Sequence, residues 1–225
     1  MASRWYNTGT MDTAIVRKLN SFFAQFPSKI YKKSEIVIQA HISPPGIFYI
    51  EEGIIRRYYL SEEGTEITLN LYKPHTFLPM SWAVADIPNT HFYEAMTEVQ
   101  VKLAPKSVVL EFLKKEPDVT YDLLRRIYIG MEGLWMHMES LTAGNSYTKL
   151  IASLVILAKR FGKTHNKDLL VDLLMSERDI ANYAGMTRET TSRELQKLKK
   201  EGLVSFDKGA IVVHDIQKLE NTLLR

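Results

Sequence analysis

The chain has 225 residues, 45% of them apolar, enough to fill one large or two ordinary cores and too many for a disordered chain. It has no cysteine, which excludes disulfides, thiolate-held iron–sulfur clusters and thiol-based redox sensing. The net charge of +3 is unevenly spread: residues 145–225 carry 14 Lys/Arg against 10 Asp/Glu, and residues 1–144 carry 15 against 16. The basic excess therefore lies in the C-terminal third, where phosphate contacts would use it.

No basic leader followed by an apolar core opens the chain, and no apolar run approaches the ~20 residues of a membrane span. A soluble cytoplasmic protein without membrane contact is the expectation. Residues 12–26 read as a short helix with Ile15, Leu19, Phe22 and Phe23 on one face. From Ile30 to Leu103 the texture changes to short β-rich runs: EIVIQA, IFYIEE, IIRRYYL, EITLNLY, FYEAM and VQVKL. Pro, Gly, Asn and Ser punctuate them, and Gly53 and Gly64 bracket one hairpin strand. Many short strands at regular spacing predict a sandwich or jelly-roll.

Residues 106–116 form a short amphipathic helix ending near Pro117. A long helix is predicted from Asp118 to Thr142. On it Leu124, Ile127, Met131, Leu134, Met138 and Leu141 are spaced 3, 4, 3, 4, 3, the seam of two helices packed together. A parallel homodimer follows; the alternative is a helix buried within one chain. Gly130 and Gly133 each cost about 1 kcal/mol relative to alanine, and they permit either close approach or local flexibility. Methionines in the seam favour an adaptable interface. Gly144 then ends the helix, and Asn145 or Ser146 caps the next. That helix, Tyr147–Phe161, carries Leu150, Ile151, Leu154, Leu157, Ala158 and Phe161 into a core.

Leu174–Val213 is the most informative stretch. Ser176 and Asp179 have the spacing of a capping box. Ile180, Ala181 and Ala184 give a short apolar face, and Gly185 stops the helix. Thr187 caps a second helix that turns Thr191, Leu195 and Leu198 inward and Arg188, Glu189, Ser192, Arg193 and Lys197 outward. Two short helices joined by a glycine turn make a helix-turn-helix, whose second member fits a major groove. Leu203–Phe206 and Ala210–Val213, joined by Asp-Lys-Gly, add a hairpin wing.

The segment MTRETTSRELQKLKKEGLV resembles the recognition helix of the Crp/Fnr superfamily of bacterial transcription regulators. The resemblance covers nearly the whole chain and is most specific at Arg188–Arg193. It implies an α+β chain with a cyclic-nucleotide-binding-like β-roll sensor at 1–116, a long dimerisation helix and hinge at 117–144, and a winged helix-turn-helix at 145–225. It implies that Arg188, Glu189 and Arg193, with Ser192, read base edges. Arginine suits the O6 and N7 of guanine, and glutamate accepts from the cytosine amino group. The expected operator has inverted half-sites with a TGA core, resembling TGTGA or TTGA, with centres about one helical turn apart. Backbone contacts are assigned to Ser176, Thr187 and Thr190, to Lys197, Lys199 and Lys200, and to Lys208 in the wing. The alternative for Lys199 and Lys200 is a solvated helix end.

The sensor departs from cyclic-AMP-binding relatives. Where they have Phe-Gly-Glu leading into a phosphate cassette, this chain has Phe77-Leu78-Pro79-Met80. Methionine cannot accept a ribose hydroxyl as glutamate does. No arginine lies between Arg57 and Arg125, so the cassette's bidentate phosphate clamp is missing. Regulation without cyclic AMP is expected, with no cofactor and no metal. His41, His75, His91 and His137 have no ligand spacing. Phe77, Trp82, Phe92, Tyr93, Tyr128 and Trp135 either line a pocket for an apolar effector or are ordinary core aromatics. The expected partners are double-stranded DNA, a second copy of the chain and RNA polymerase; the effector is unidentified. The alternative from a different class is a jelly-roll enzyme with an appended DNA-binding domain.

Overall fold

The chain divides into two compact units, one ending at Arg126 and one beginning at Ile127. The structure, a computed structural model, describes residues 11–165 and 168–223, with all their side chains except those of residues 140, 141 and 143.

The first unit opens with α1 (Thr13–Phe23), whose N-cap Asp12 accepts the Ala14 amide at 2.8 Å. The expected β-roll follows. Its strands are β1 (Ser28–Tyr31), β2 (Ile36–Ile38), β3 (Ile47–Glu52), β4 (Ile55–Leu60), β5 (Glu66–Tyr72) and β6 (Phe77–Leu78). After the short α2 (Met80–Ala85) come β7 (Phe92–Ala95) and β8 (Val99–Ala104). They form two antiparallel four-stranded sheets, in the orders β1-β8-β3-β6 and β2-β7-β4-β5.

Strand β3 explains how the roll is held. Its first four residues, Ile47–Ile50, are all buried, because successive side chains face opposite sides and both sides are covered. Phe48 and Ile50 enter a core with Ile38, Leu78, Tyr93, Val99 and Val101. Ile47 and Tyr49 enter another with Ile15, Leu19 and Phe23 of α1 and Phe77. Val109 and Leu113 of α3 (Lys106–Lys115) and Val119 of α4 (Pro117–Ala143) close that second core. Pro117 begins α4 at the position where its missing N–H costs nothing.

The second unit takes in the remainder of α4 and then α5 (Ser146–Phe161), capped by Asn145, whose Oδ1 accepts the Thr148 amide at 3.0 Å. Every residue from Leu150 to Ala158 is buried. A helix apolar on all sides is a central one, and α5 packs against five elements of this unit. These are β9 (Gly162–His165), β10 (Asp168–Leu174), α6 (Glu177–Ala184), α7 (Arg188–Lys200) and α8 (Ile216–Leu223). The expected wing is present as β11 (Val204–Asp207) and β12 (Ala210–Val213). Lys208 and Gly209 stand at φ +47° and +88° between them, the left-handed pair of a type I′ turn. The wing is part of a larger sheet: β12 pairs with β10, and β10 with β9 (Gly162–His165). Among the described residues no helix is long and apolar enough to cross a membrane.

Candidate nucleic-acid interface

Helices α6 and α7 are each started by a side chain. At α6 the predicted capping box is complete: Ser176 Oγ accepts the Asp179 amide at 3.2 Å, and the Asp179 carboxylate accepts the Ser176 amide at 2.8 Å. Gly185 ends α6 at φ +62°, a conformation that would strain a side chain, and the chain turns into α7 three residues later. There Thr187 Oγ1 accepts the Thr190 amide at 3.2 Å.

Along α7, Thr191, Leu195 and Leu198 are buried, as the spacing predicts. Arg188, Glu189 and Arg193 are exposed and Ser192 is half-buried, so the four predicted base-reading residues lie on one open side of the helix. Thirteen residues make α7 about 20 Å long, and the four occupy its first half. That end is where a recognition helix meets base edges.

The residues assigned to the DNA backbone differ in their freedom. Lys200 and Lys208 are exposed. Lys199 lies over the Phe206 ring of the wing, 4.5 Å from its centroid. Lys197 is exposed but stands 2.6 Å from the Glu194 carboxylate. Ser176, Thr187 and Thr190 are engaged in capping, and Ser176 Oγ also donates to Asp179 at 2.7 Å.

Glu194 is the residue that sequence reasoning missed. It is 1% exposed, yet it is charged and sits between Arg193 and Leu195. Ser146 Oγ, at the start of α5, donates to its Oε1 at 2.9 Å, and Arg193 Nε donates to the same oxygen at 3.2 Å. Burial pushes its carboxyl up, but bonds from Lys197, Ser146 and Arg193 outweigh burial and hold it below the usual range. The signal was present: position 194 is three residues after Thr191 and four before Leu198, on the inward stripe.

The seam of α4 is open in the protomer. Leu124, Ile127, Leu134 and Met138 are 48%, 46%, 49% and 55% exposed, and Met131 is half-buried. The Leu141 side chain lies outside the described residues. His137, on the same helix, stacks on Tyr183 of α6 with centroids 5.5 Å apart, and burial lowers its pKa.

Of the six aromatics considered as pocket lining or core, the four in the roll do not form one cluster. Phe77, with Trp82 packed on its periphery, belongs to the core beneath α1, whereas Tyr93 belongs to the core between the sheets. Phe92 stacks on Tyr58, 5.2 Å between centroids. Tyr128 and Trp135 lie exposed on α4. Among the described residues no group of three or more His, Asp or Glu side chains could hold a metal ion.

Comparison with known proteins decides the family. Residues 28–116 match the cyclic nucleotide-binding domain model, and residues 148–222 match the Crp-like helix-turn-helix domain model. The chain belongs to the Crp/Fnr superfamily of transcription regulators. It is 26% identical to a global nitrogen regulator of Synechocystis sp., over 90% of this chain and 91% of that protein. It is also 26% identical to an anaerobic regulatory protein of Haemophilus influenzae, over 85% of this chain and 74% of that one. The fold is similar to that of a CooA variant from Carboxydothermus hydrogenoformans, with a TM-score of 0.79 at 20% identity, covering 96% and 99% of the two chains. FixK2 from Bradyrhizobium japonicum is similar in fold, with a TM-score of 0.71 at 22% identity over 87% and 96%. This Crp/Fnr chain thus joins a β-roll, a long helix and a DNA-binding helix-turn-helix in the family's order.

Proposed function

We propose that this regulator acts as a homodimer on a two-fold-symmetric DNA site, one α7 helix per half-site, without cyclic AMP. The observation that carries the proposal is the open, polar first half of α7, with Arg188, Glu189 and Arg193 exposed above a buried Thr191–Leu195–Leu198 stripe. Arg188 and Arg193 donate to guanine, Glu189 accepts from cytosine, and Ser192 adds a hydroxyl. Lys200 and Lys208, exposed at the end of α7 and at the wing tip, supply phosphate contacts. The half-exposed seam of α4 supports the dimer: leucine and isoleucine at heptad spacing gain by covering one another. Proline and methionine at 79 and 80, with no cassette arginine, support independence from cyclic nucleotide. RNA polymerase is the expected protein partner once the dimer sits at a promoter. The chain acts by binding, and no reaction is assigned to it.

The test is fluorescence anisotropy on a duplex with two inverted TGA-containing half-sites against a scrambled duplex of equal length. Preference for the operator by about 10³-fold or more supports sequence-specific binding. Equal affinity refutes it.

A further inference from the structure

Three polar side chains lie in a row across the C-terminal sheet. Ser205 is on β11, His214 follows β12, and Asp168 begins β10. These strands are neighbours, in the order β11-β12-β10. Directly opposed residues of paired strands share a face. Ser205 is opposed by Val212, and Val212 by Leu170. One step further along the second register, Asp168 stands opposite His214. These five residues are half-buried, whereas Ile211 and Val213, which alternate with Val212 on β12, are buried in the core. The polar row therefore lies on the less covered face of the sheet, beside the apolar pair Leu170 and Val212.

The row is hydrogen-bonded from end to end. Asp168 Oδ2 lies 3.0 Å from His214 Nδ1, and His214 Nε2 lies 2.8 Å from Ser205 Oγ. A carboxylate only accepts, so the Nδ1 hydrogen of His214 points to Asp168. In the neutral ring Nε2 then carries the lone pair, and the Ser205 hydroxyl donates to it. Asp168 Oδ1 is buried with no hydrogen-bond partner among the described residues, so His214 is the donor this carboxylate holds. A hydroxyl bonded to a base, with the base oriented by a third group, is the arrangement that makes a serine nucleophilic.

The backbone adds a donor beside the hydroxyl. The His214 amide donates to the Leu203 carbonyl at 3.0 Å, which sets the alternation of bonds between β11 and β12. Ser205 is therefore turned to β12, and the amide of Phe206 points off the sheet, because β11 is an edge strand. An oxyanion on a carbon attached to Ser205 Oγ would have that amide as its neighbour.

We propose that Ser205 is a covalent modification site, acylated by activated acyl esters. Ser205 Oγ bonds to the ester's carbonyl carbon, and the hydroxyl proton passes to His214 Nε2. The bond to the leaving oxygen breaks with its electron pair, and that oxygen or water takes the proton from His214. Asp168 positions the imidazole, and Leu170 and Val212 lie where an acyl chain would rest. The chain is itself the acceptor, so the step is a single transfer and not a turnover. The site is built from β10, β11, β12 and the residue after β12, so it does not rest on how α7 reads DNA.

The experiment treats the full-length protein with p-nitrophenyl acetate at neutral pH and maps acetylated serines by peptide mass spectrometry over time. Ser205 should be acetylated about 10²-fold or more faster than Ser107, an exposed serine on α3 that serves as the internal reference. Ser205→Ala should remove that label alone. His214→Gln should slow acetylation of Ser205 by about 10²-fold or more. Asp168→Asn should slow it as well, and Asp168→Glu should restore part of the rate, with folding of each variant checked by thermal melting. Acetylation of Ser205 no faster than that of Ser107 in the native protein overturns the proposal, as does a native rate at Ser205 in folded His214→Gln.

Discussion

Ser146 Oγ, at the first turn of α5, donates to the buried Glu194 carboxylate of α7 at 2.9 Å. One bond thereby ties the residue following the long helix and its hinge to α7, the proposed base-reading helix. Glu194 is also within 3.2 Å of Arg193 Nε, so the same carboxylate braces the helix and restrains a side chain assigned to guanine.

Removing this brace should destabilise the second unit. Glu194→Ala strands the Ser146 hydroxyl and leaves Lys197 unpaired. Hydrogen bonds to charged groups are worth about 1.5–3 kcal/mol, and a loss in that range is expected in urea unfolding. Unchanged stability would mean that the bond contributes nothing net.

The same group predicts a pH dependence. The Glu194 carboxyl is held below its ordinary value of 4.5, so its contribution is complete above that value and disappears as the pH falls through its lowered folded-state pKa. Thermal melts from neutral pH down to pH ~3 should show native stability falling more steeply than that of Glu194→Gln. Parallel curves would contradict the assignment.

Leu134 is 49% exposed at the middle of the α4 seam. An aspartate there disturbs little in the protomer but would place a charge in the desolvated interior of the proposed helix pair, a cost of several kcal/mol. Leu134→Asp should sediment as a folded monomer and lose operator affinity. A persisting dimer would place the interface elsewhere.

Cyclic AMP and cyclic GMP should show no specific binding by isothermal titration at physiological concentrations. Met80 stands where a ribose-binding glutamate would be needed, and the cassette lacks arginine. Micromolar affinity for either nucleotide would contradict this account of the roll.

Much of the fold was legible because local chemistry dictated it. Ser176 and Asp179 announced a capping box, Asp-Lys-Gly a hairpin turn, and the 3–4 spacing of α4 an apolar seam. What was missed depends on distant partners. Strand β9 reads Gly-Lys-Thr-His and carries no apolar residue; it is a strand because β10 pairs with it. Helix α2 has only six residues and no side-chain cap, too short for periodicity to register. In sequence, Phe77 and Tyr93 could be read either as lining one pocket or as ordinary core aromatics; the strands that carry them feed two different cores. Glu194 was hidden because a charged residue reads as surface unless its inward register is weighed against its charge.

The lysines of the C-terminal unit should separate into two kinds. Lys200 is exposed, and Lys200→Ala should weaken binding to all sequences alike and reduce the salt slope by about one unit. Lys197 is paired with Glu194, and its removal should cost stability more than salt dependence. Equal salt slopes for Lys200→Ala and the native protein would remove Lys200 from the phosphate contacts.

Selection of bound duplexes from a random pool, by the native protein and by Arg193→Ala, tests the assignment of α7 most directly. The native protein should select inverted half-sites with a TGA core. Arg193→Ala should lose about 1–3 kcal/mol of affinity and relax its preference at the guanine. The same half-site chosen with the same stringency by both proteins would contradict the assignment of α7 as the base-reading helix.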